Sequence, residues 1–161
     1  LPVIFVCEFN QYASTTPSSY GTSVPNLAVR AQGYGMPAAT VDGNDVFAVN
    51  EAAKKALEYV RAGNGPYMLE FKTYRIKGHY VGDPEMYRSK QEVQDHFDNN
   101  DPLKNFAKVV LAKKWLTQKD MDAIHAEVVA EVKTAVDDAR KDPYPTDSEL
   151  FHDYYVEGGV N

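Results

Sequence analysis

Leu1-Pro2-Val3-Ile4-Phe5-Val6-Cys7 is a continuous apolar run, rich in β-branched and aromatic residues and free of alternation. Runs of this kind read as strands covered on both faces, the situation of a parallel sheet. The run gives way to the polar cluster Glu8-Phe9-Asn10-Gln11-Tyr12, where such a strand would end. Ala13 to Pro25 is dense in Ser, Thr, Pro and Gly and predicts a loop. Asn26 is placed to cap a short helix over Leu27 to Tyr34, closed by Gly35 and Pro37. Ala38 to Val41 predicts a second, short strand. The turn Asp42-Gly43-Asn44-Asp45 ends in a helix cap. Val49, Ala52, Ala53, Ala56, Leu57 and Val60 then recur at helical spacing until Gly63 stops them. Pro66 to Thr73 predicts the third strand. The order strand, loop, helix, strand, helix, strand suits parallel strands joined by crossovers.

Three strands are few for a sheet that ordinarily has about five or six. The first of them is central in character and calls for neighbours on both sides. The sequence offers none before it, and it opens without an initiator Met. The expected fold class is therefore α/β, the C-terminal half of a larger doubly wound parallel-sheet domain. Residues 74–88 carry no periodic pattern, and a loop of that length in a compact domain is usually functional. Helical signals follow it. Ser89 caps a helix through roughly Phe97, and Asp101-Pro102 opens another. Thr117 and Asp120 approximate a capping box before a long helix to about Arg140. Met121, Ile124, Val128, Val132, Ala135 and Ala139 form an apolar stripe along it. Two regions are expected: 1–90, the sheet with its loop, and 91–161, a helical C-terminal extension used in subunit packing. Leu150, Phe151, Tyr154 and Tyr155 suggest an ordered, packed tail.

Composition narrows the function. Acidic residues outnumber basic ones 23 to 17 in the 161-residue chain, for a net charge of −6. That argues against a general nucleic-acid or anionic-membrane surface. A single cysteine, Cys7, excludes an internal disulfide framework and a multi-cysteine metal site. Its place inside the first strand reads as core and not as a nucleophile. No apolar run approaches the roughly 20 residues of a spanning helix.

Two places invite chemistry. Asn10 lies at the end of a strand, where α/β sheets bind ligands. Its amide oxygen is a suitable hard ligand for Mg²⁺, and the carbonyl of Tyr12 offers a second. A turn-terminating hydrogen bond accounts for Asn10 equally well. The loop after the third strand emerges from the same edge, with Arg75, Lys77, His79 and Arg88 around Gly78 and Gly82. Cations beside glycines suit a diphosphate, and His is fitted to proton transfer near neutral pH. A solvated loop is the alternative. His96, His125 and His152 carry no such signal. Nucleotide-binding P-loops, nucleophile elbows and zinc-protease motifs are absent.

VIFVCEFNQYASTTP and TYRIKGHYVGDPEMYR, with AQGYGMPAATVDGNDVFAVNEAAKKA between them and Asp101-Pro102-Leu103 after, resemble one family. It is that of the alpha subunits of the first component of thiamine diphosphate-dependent 2-oxo acid and acetoin dehydrogenases. The resemblance covers essentially the whole chain. It implies that Asn10 closes a motif opened by Gly-Asp-Gly, a triplet absent from this sequence. Asn10 and the Tyr12 carbonyl would then bind Mg²⁺. His79 would approach the cofactor diphosphate, together with Arg75, and assist acyl transfer. Asp83, Tyr87 and Arg88 match residues that order the loop. Phe9 replaces an Asn common in relatives, at a position that is not a ligand. Tyr80 stands where animal relatives carry a regulatory Ser, which points to a prokaryotic, cytoplasmic protein.

The implied partners are the N-terminal half of the alpha subunit, a beta subunit in an α2β2 heterotetramer, and a lipoyl-bearing acyltransferase. The implied reaction is cleavage of acetoin or decarboxylation of a short 2-oxo acid, with the acyl group passed to lipoamide. A non-catalytic interaction module using its acidic helices and tail is the competing reading. The segment alone is expected to be inactive, since half the metal ligands lie elsewhere.

Overall fold

The computed structural model describes residues 1–151. It forms two compact units, one spanning Leu1–Trp115 and a second beginning at Leu116. His152, Tyr154 and Tyr155 lie outside the described residues.

The first unit is mixed α/β. Its main sheet contains β1 (Ile4–Phe9), β4 (Ala38–Asp42) and β5 (Tyr67–Lys72), all parallel, in the order β1-β5-β4. The central strand is thus the last in sequence, and Leu69, Glu70 and Phe71 on it are buried. Among the described residues β1 pairs on one side only, and its Phe5 and Val6 are 52% and 59% exposed. An apolar run records what a strand can bury, and says nothing about which neighbours cover it. Cys7 is half-buried, and burial followed by the nearby Glu70 charge pushes its thiol up, away from the reactive thiolate.

Helix α2 (Val46–Arg61) connects β4 to β5 and covers one face of the sheet. Asp45 caps it, accepting from the Phe47 and Ala48 N–H groups at 2.9 and 3.2 Å. Ala56 of α2 forms the core with Leu69 and Phe71, and Ile4, Val41, Val49 and Ala52 pack around them. The turn before α2 is tied to the end of β5. Gly43 N–H donates to the Lys72 carbonyl at 2.7 Å, and the Thr73 hydroxyl donates to buried Asn44 at 2.7 Å. Helix α4 (Pro102–Ala112), capped by Asp101, is joined to α2 by Phe47 packed between Phe106 and Trp115.

The segment 13–25, expected as a loop, contains regular structure. Strands β2 (Tyr12–Ala13) and β3 (Thr16–Pro17) pair antiparallel, and a single helical turn, α1 (Ser18–Gly21), follows. Ser14 takes the positive φ of 56° that so tight a reversal demands. The helix over Leu27–Tyr34 forms as a 3₁₀ helix, and Asn26 makes no side-chain capping hydrogen bond. Glu70 caps it instead. Its carboxylate accepts from the Leu27 and Ala28 N–H groups at 2.9 and 3.0 Å and from the Thr40 hydroxyl at 2.9 Å, and pairs with Lys72 at 3.1 Å. A long-range carboxylate has displaced the local cap, because it brings full negative charge to the helix start.

Helix α3 (Lys90–Asn99), capped by Ser89, closes the irregular segment after β5. In the second unit, α5 (Gln118–Ala139) begins with a complete capping box between Thr117 and Asp120. Ile124, Val128 and Val132 on its stripe are exposed, as is Leu150 of the short 3₁₀ turn Asp147–Phe151.

Burial alone would raise the Glu70 pKa, but the two helix N–H groups, Lys72 and Thr40 outweigh it and hold the carboxyl below its usual range. A depressed carboxylate contributes stability above its unfolded pKa and loses it as pH falls through the folded value. Glu70→Gln should therefore cost about 2–3 kcal/mol at neutral pH and flatten the fall in stability below about pH 4.5. Urea unfolding of both forms across that range checks it.

Candidate functional site at the carboxyl ends of β1 and β5

Parallel pairing continues past the ends of the two strands. Thr73 N–H donates to the Phe9 carbonyl at 3.0 Å, and Arg75 N–H donates to the Asn10 carbonyl at 3.2 Å. Asn10 and Arg75 are thereby side by side, 65 positions apart in sequence, because of the β1–β5 register. Gln11 turns the chain with a φ of 72°. Its side-chain amide donates to the Thr73 carbonyl at 3.3 Å. The Asn10 amide oxygen accepts from Tyr12 N–H at 3.1 Å, so the turn-terminating hydrogen bond exists. It leaves that oxygen a second lone pair.

Across the β2–β3 pair, Tyr12 faces Pro17 at a non-hydrogen-bonded position next to the Ser18 N–H to Gln11 carbonyl bond of 2.8 Å, so its carbonyl is directed away from β3. The Tyr12 side chain runs into a cluster of rings. Its hydroxyl donates to Glu92 Oε1 at 2.6 Å, and Tyr74 donates to the same oxygen at 2.9 Å. Tyr74 stacks flat on His96, with ring centroids 3.8 Å apart. Tyr12 meets Tyr74 edge-on at 6.0 Å and Tyr87 at 5.4 Å. The Tyr12 hydrogen bond holds the Glu92 carboxyl below its ordinary range against the pull of burial. Burial, then Glu92, pushes the Tyr12 phenol up.

Loop 74–88 folds back onto these strand ends around Arg88. The Arg88 side chain is fully buried. Its guanidinium pairs with Glu85 at 2.6 Å, donates to the Ile76 carbonyl at 3.0 Å, and also donates to the Arg75 carbonyl. The rings of Tyr12, Tyr74 and Tyr87 surround it with centroids 5.5, 5.6 and 5.7 Å away. Asp83 makes the second knot. Its carboxylate accepts from His79 N–H at 2.8 Å, from Glu85 N–H at 2.9 Å and from the Tyr87 hydroxyl at 2.8 Å. Of these, the His79 N–H does most to keep the carboxyl below its ordinary range.

Gly78 is required by this packing. A Cβ there would lie 2.9 Å from the Asp83 Cβ and 3.0 Å from a Glu85 oxygen. Gly82, at φ +90°, supplies the reversal between them.

Arg75 is anchored by the other side of the same cluster. Its guanidinium donates to the Ser14 carbonyl at 2.6 Å and to the Tyr87 hydroxyl at 2.9 Å. Its Nε–H is buried without a partner among the described residues. His79 has its backbone fixed by Asp83, while its imidazole is exposed, edge-on to Tyr80 at 6.3 Å. Lys77 is also exposed. One hydrogen-bonded cluster thus contains Asn10, Tyr12, Arg75, Asp83, Tyr87 and Arg88, with His79 attached through its main chain.

Glu85 and Glu92 belong to this cluster and were not singled out in the sequence. Ser89-Lys90-Gln91-Glu92 carries the spacing of a capping box, and Ser89 does accept from Glu92 N–H at 3.0 Å. The Glu92 side chain, however, goes to the two phenols. Nothing local to residues 89–92 signals that use, since one of its partners is 80 residues away. Glu85 precedes Arg88 at i,i+3 spacing, a pattern common on any helix and uninformative in a loop.

Arg88→Lys keeps the charge but not the planar set of donors that reaches Glu85 and two carbonyls. It should release the loop by about 1–3 kcal/mol, so that the His79 and Glu85 amides exchange about 10- to 100-fold faster. Hydrogen exchange of the folded protein reads this directly.

Comparison with known proteins places the chain. The family model described as the dehydrogenase E1 component matches residues 1–148. The alpha subunit of acetoin:2,6-dichlorophenolindophenol oxidoreductase from Cupriavidus necator is 43% identical over 156 residues, 97% of this chain and 47% of that protein. The protein of the same description from Bacillus subtilis is 40% identical over the same share of the chain and 46% of its own length. The pyruvate dehydrogenase E1 component subunit alpha of Zymomonas mobilis is 42% identical, over 97% of this chain and 44% of that protein. The chain spans about half the length of the curated relatives it matches. Matched over nearly its whole length, it belongs to the dehydrogenase E1 component family.

Proposed function

We propose that this chain is the C-terminal half of a doubly wound domain in the alpha subunit of a thiamine diphosphate-dependent dehydrogenase. In this reading residues 1–90 form the diphosphate- and Mg²⁺-binding part with its active-site loop, and 91–161 a helical extension for subunit packing. The N-terminal half would cover the open side of β1, where Phe5 and Val6 are exposed. A beta subunit would complete an α2β2 assembly, in a prokaryotic cytoplasm. The substrate would be acetoin or a short 2-oxo acid, and lipoamide on an acyltransferase would take the acyl group.

The donor chemistry of the strand ends fits the group. The Asn10 amide oxygen retains a free lone pair, and the Tyr12 carbonyl, in a non-hydrogen-bonded pair, is directed away from β3. Two neutral oxygens of this kind suit Mg²⁺, which takes the remainder of its octahedral shell from phosphate, water and other residues. Among the described residues no group of three or more His, Cys, Asp or Glu side chains could hold a metal. The buried, unpartnered Arg75 Nε–H is a donor suited to an anionic oxygen. This orphan donor beside Asn10 is the observation that carries the reading.

Thiamine diphosphate, when bound, supplies the electron sink for cleavage beside the substrate carbonyl. The chain's own residues act around it. Asn10 and Tyr12 orient the metal, Arg75 holds diphosphate charge, and His79 presents its imidazole from a loop fixed at the His79 amide by Asp83. Exposed but tethered, that imidazole can exchange a proton at Nδ1 or Nε2 with an incoming acyl acceptor. Arg88, Tyr87 and Asp83 position it.

In the complete alpha–beta assembly, Asn10→Ala and His79→Ala should each reduce turnover by about 10²-fold or more with the assembly intact. Steady-state kinetics beside a sedimentation measurement tests this. Full turnover in both variants would leave the interaction-module reading standing.

A further inference from the structure

Glu92 sits on α3, outside the strand ends and the loop that hold the residues assigned to the metal and the diphosphate, yet its side chain is hydrogen-bonded to one of them. Its Oε1 accepts the Tyr12 hydroxyl at 2.6 Å. Tyr12 is held at two points. The Asn10 amide oxygen fixes its N–H at 3.1 Å, and Glu92 fixes the far end of its side chain. The carbonyl departs from the same Cα, and the peptide that carries it is held at its other end where Ala13 pairs with Thr16. With the Tyr12 Cα fixed by its amide and its ring, and Ala13 fixed by the strand pair, the peptide that carries the carbonyl is anchored at both ends; loss of the Glu92 contact would free the Tyr12 end. We propose that Glu92 is a positioning residue for the cation, acting through the Tyr12 phenol to keep the Tyr12 carbonyl oriented for Mg²⁺. The inference rests on the metal reading above.

The remaining contacts give Glu92 a second consequence. Tyr74, the first residue of the loop segment, donates to the same oxygen at 2.9 Å, and Arg88 lies over both rings. The carboxylate therefore joins three stretches of chain at one atom: the β1 exit, the β5 exit and α3. Partners at this remove from a metal commonly change its affinity about 10- to 100-fold when removed.

The test is calorimetric titration of Mg²⁺ into the metal-stripped alpha–beta assembly with thiamine diphosphate present. Tyr12→Phe keeps the ring and its packing and removes only the hydroxyl. It should weaken Mg²⁺ by about tenfold or more, and Glu92→Ala should do the same. Glu92→Gln, which retains a carbonyl acceptor, should restore affinity. Tyr74→Phe, which removes the other phenol, should stay within about twofold of the parent, because it leaves the Tyr12 contact in place.

Unchanged Mg²⁺ affinity in Tyr12→Phe overturns the inference, whatever Glu92→Ala does. Equal weakening by Tyr74→Phe overturns it too, since the effect would then be a general loosening of the ring cluster. Asn10→Ala separates the two levels of argument. If it weakens Mg²⁺ while Tyr12→Phe and Glu92→Ala do not, only the role of Glu92 falls. If Asn10→Ala changes nothing, the metal reading falls and this inference falls with it.

Discussion

A buried guanidinium holds the site region together. Arg88 is taken out of water in a loop with no regular structure, which is unfavourable unless every donor finds an acceptor. Glu85 and the Arg75 and Ile76 carbonyls supply acceptors, and three tyrosine rings occupy the space around them. Both carbonyls belong to the chain leaving β5. Satisfying the charge therefore folds the loop back onto its own strand. Loop 74–88 is shaped by a cation that has one low-energy place to be.

Around that cation, carboxylates divide the work. Glu85 neutralises it, Asp83 gathers the His79 and Glu85 amides with the Tyr87 hydroxyl, and Glu92 gathers two phenols. Glu70 does the equivalent at the other side of β5, where it caps the helix over Leu27–Tyr34. Glu92 and Glu70 serve donors from distant segments of chain, while Glu85 and Asp83 serve donors within the loop itself. Such arrangements are rigid because a missing partner would leave a charge or an N–H stranded in low dielectric. A rigid frame with one exposed imidazole is what a site needs when proton transfer must occur at a defined place.

Much of this was legible from local patterns. The three strands, α2 with its Asp45 cap, the Ser89, Asp101 and Thr117 caps and the irregular loop all follow from spacing and end signals within about a dozen residues. Strand ends pointed to Asn10 and Arg75 because α/β sheets bind ligands there. Motif wording brought His79, Asp83, Tyr87 and Arg88 forward. The hairpin Tyr12–Pro17 escaped, since Ser, Thr and Pro mark a turn but do not say whether its flanks pair. Asn26 has the right side chain for a cap and is not used as one, because Glu70 reaches the same N–H groups with a full charge.

The sequence alone was enough for the parallel α/β class and for the order of the three main strands and their helices, because helix periodicity, strand composition and capping are properties of neighbours in the chain. Tertiary structure decided the rest. Among the described residues it placed β5 between β1 and β4, since sheet order depends on which hydrogen-bonding edges meet and not on how apolar a segment is. It gave Glu92 its two phenols and Arg88 its carbonyls, because those partners lie up to 80 residues apart and no local pattern encodes their meeting. Charge and hydrogen-bonding capacity are written residue by residue; which donor satisfies which acceptor is settled only when the strands set their register.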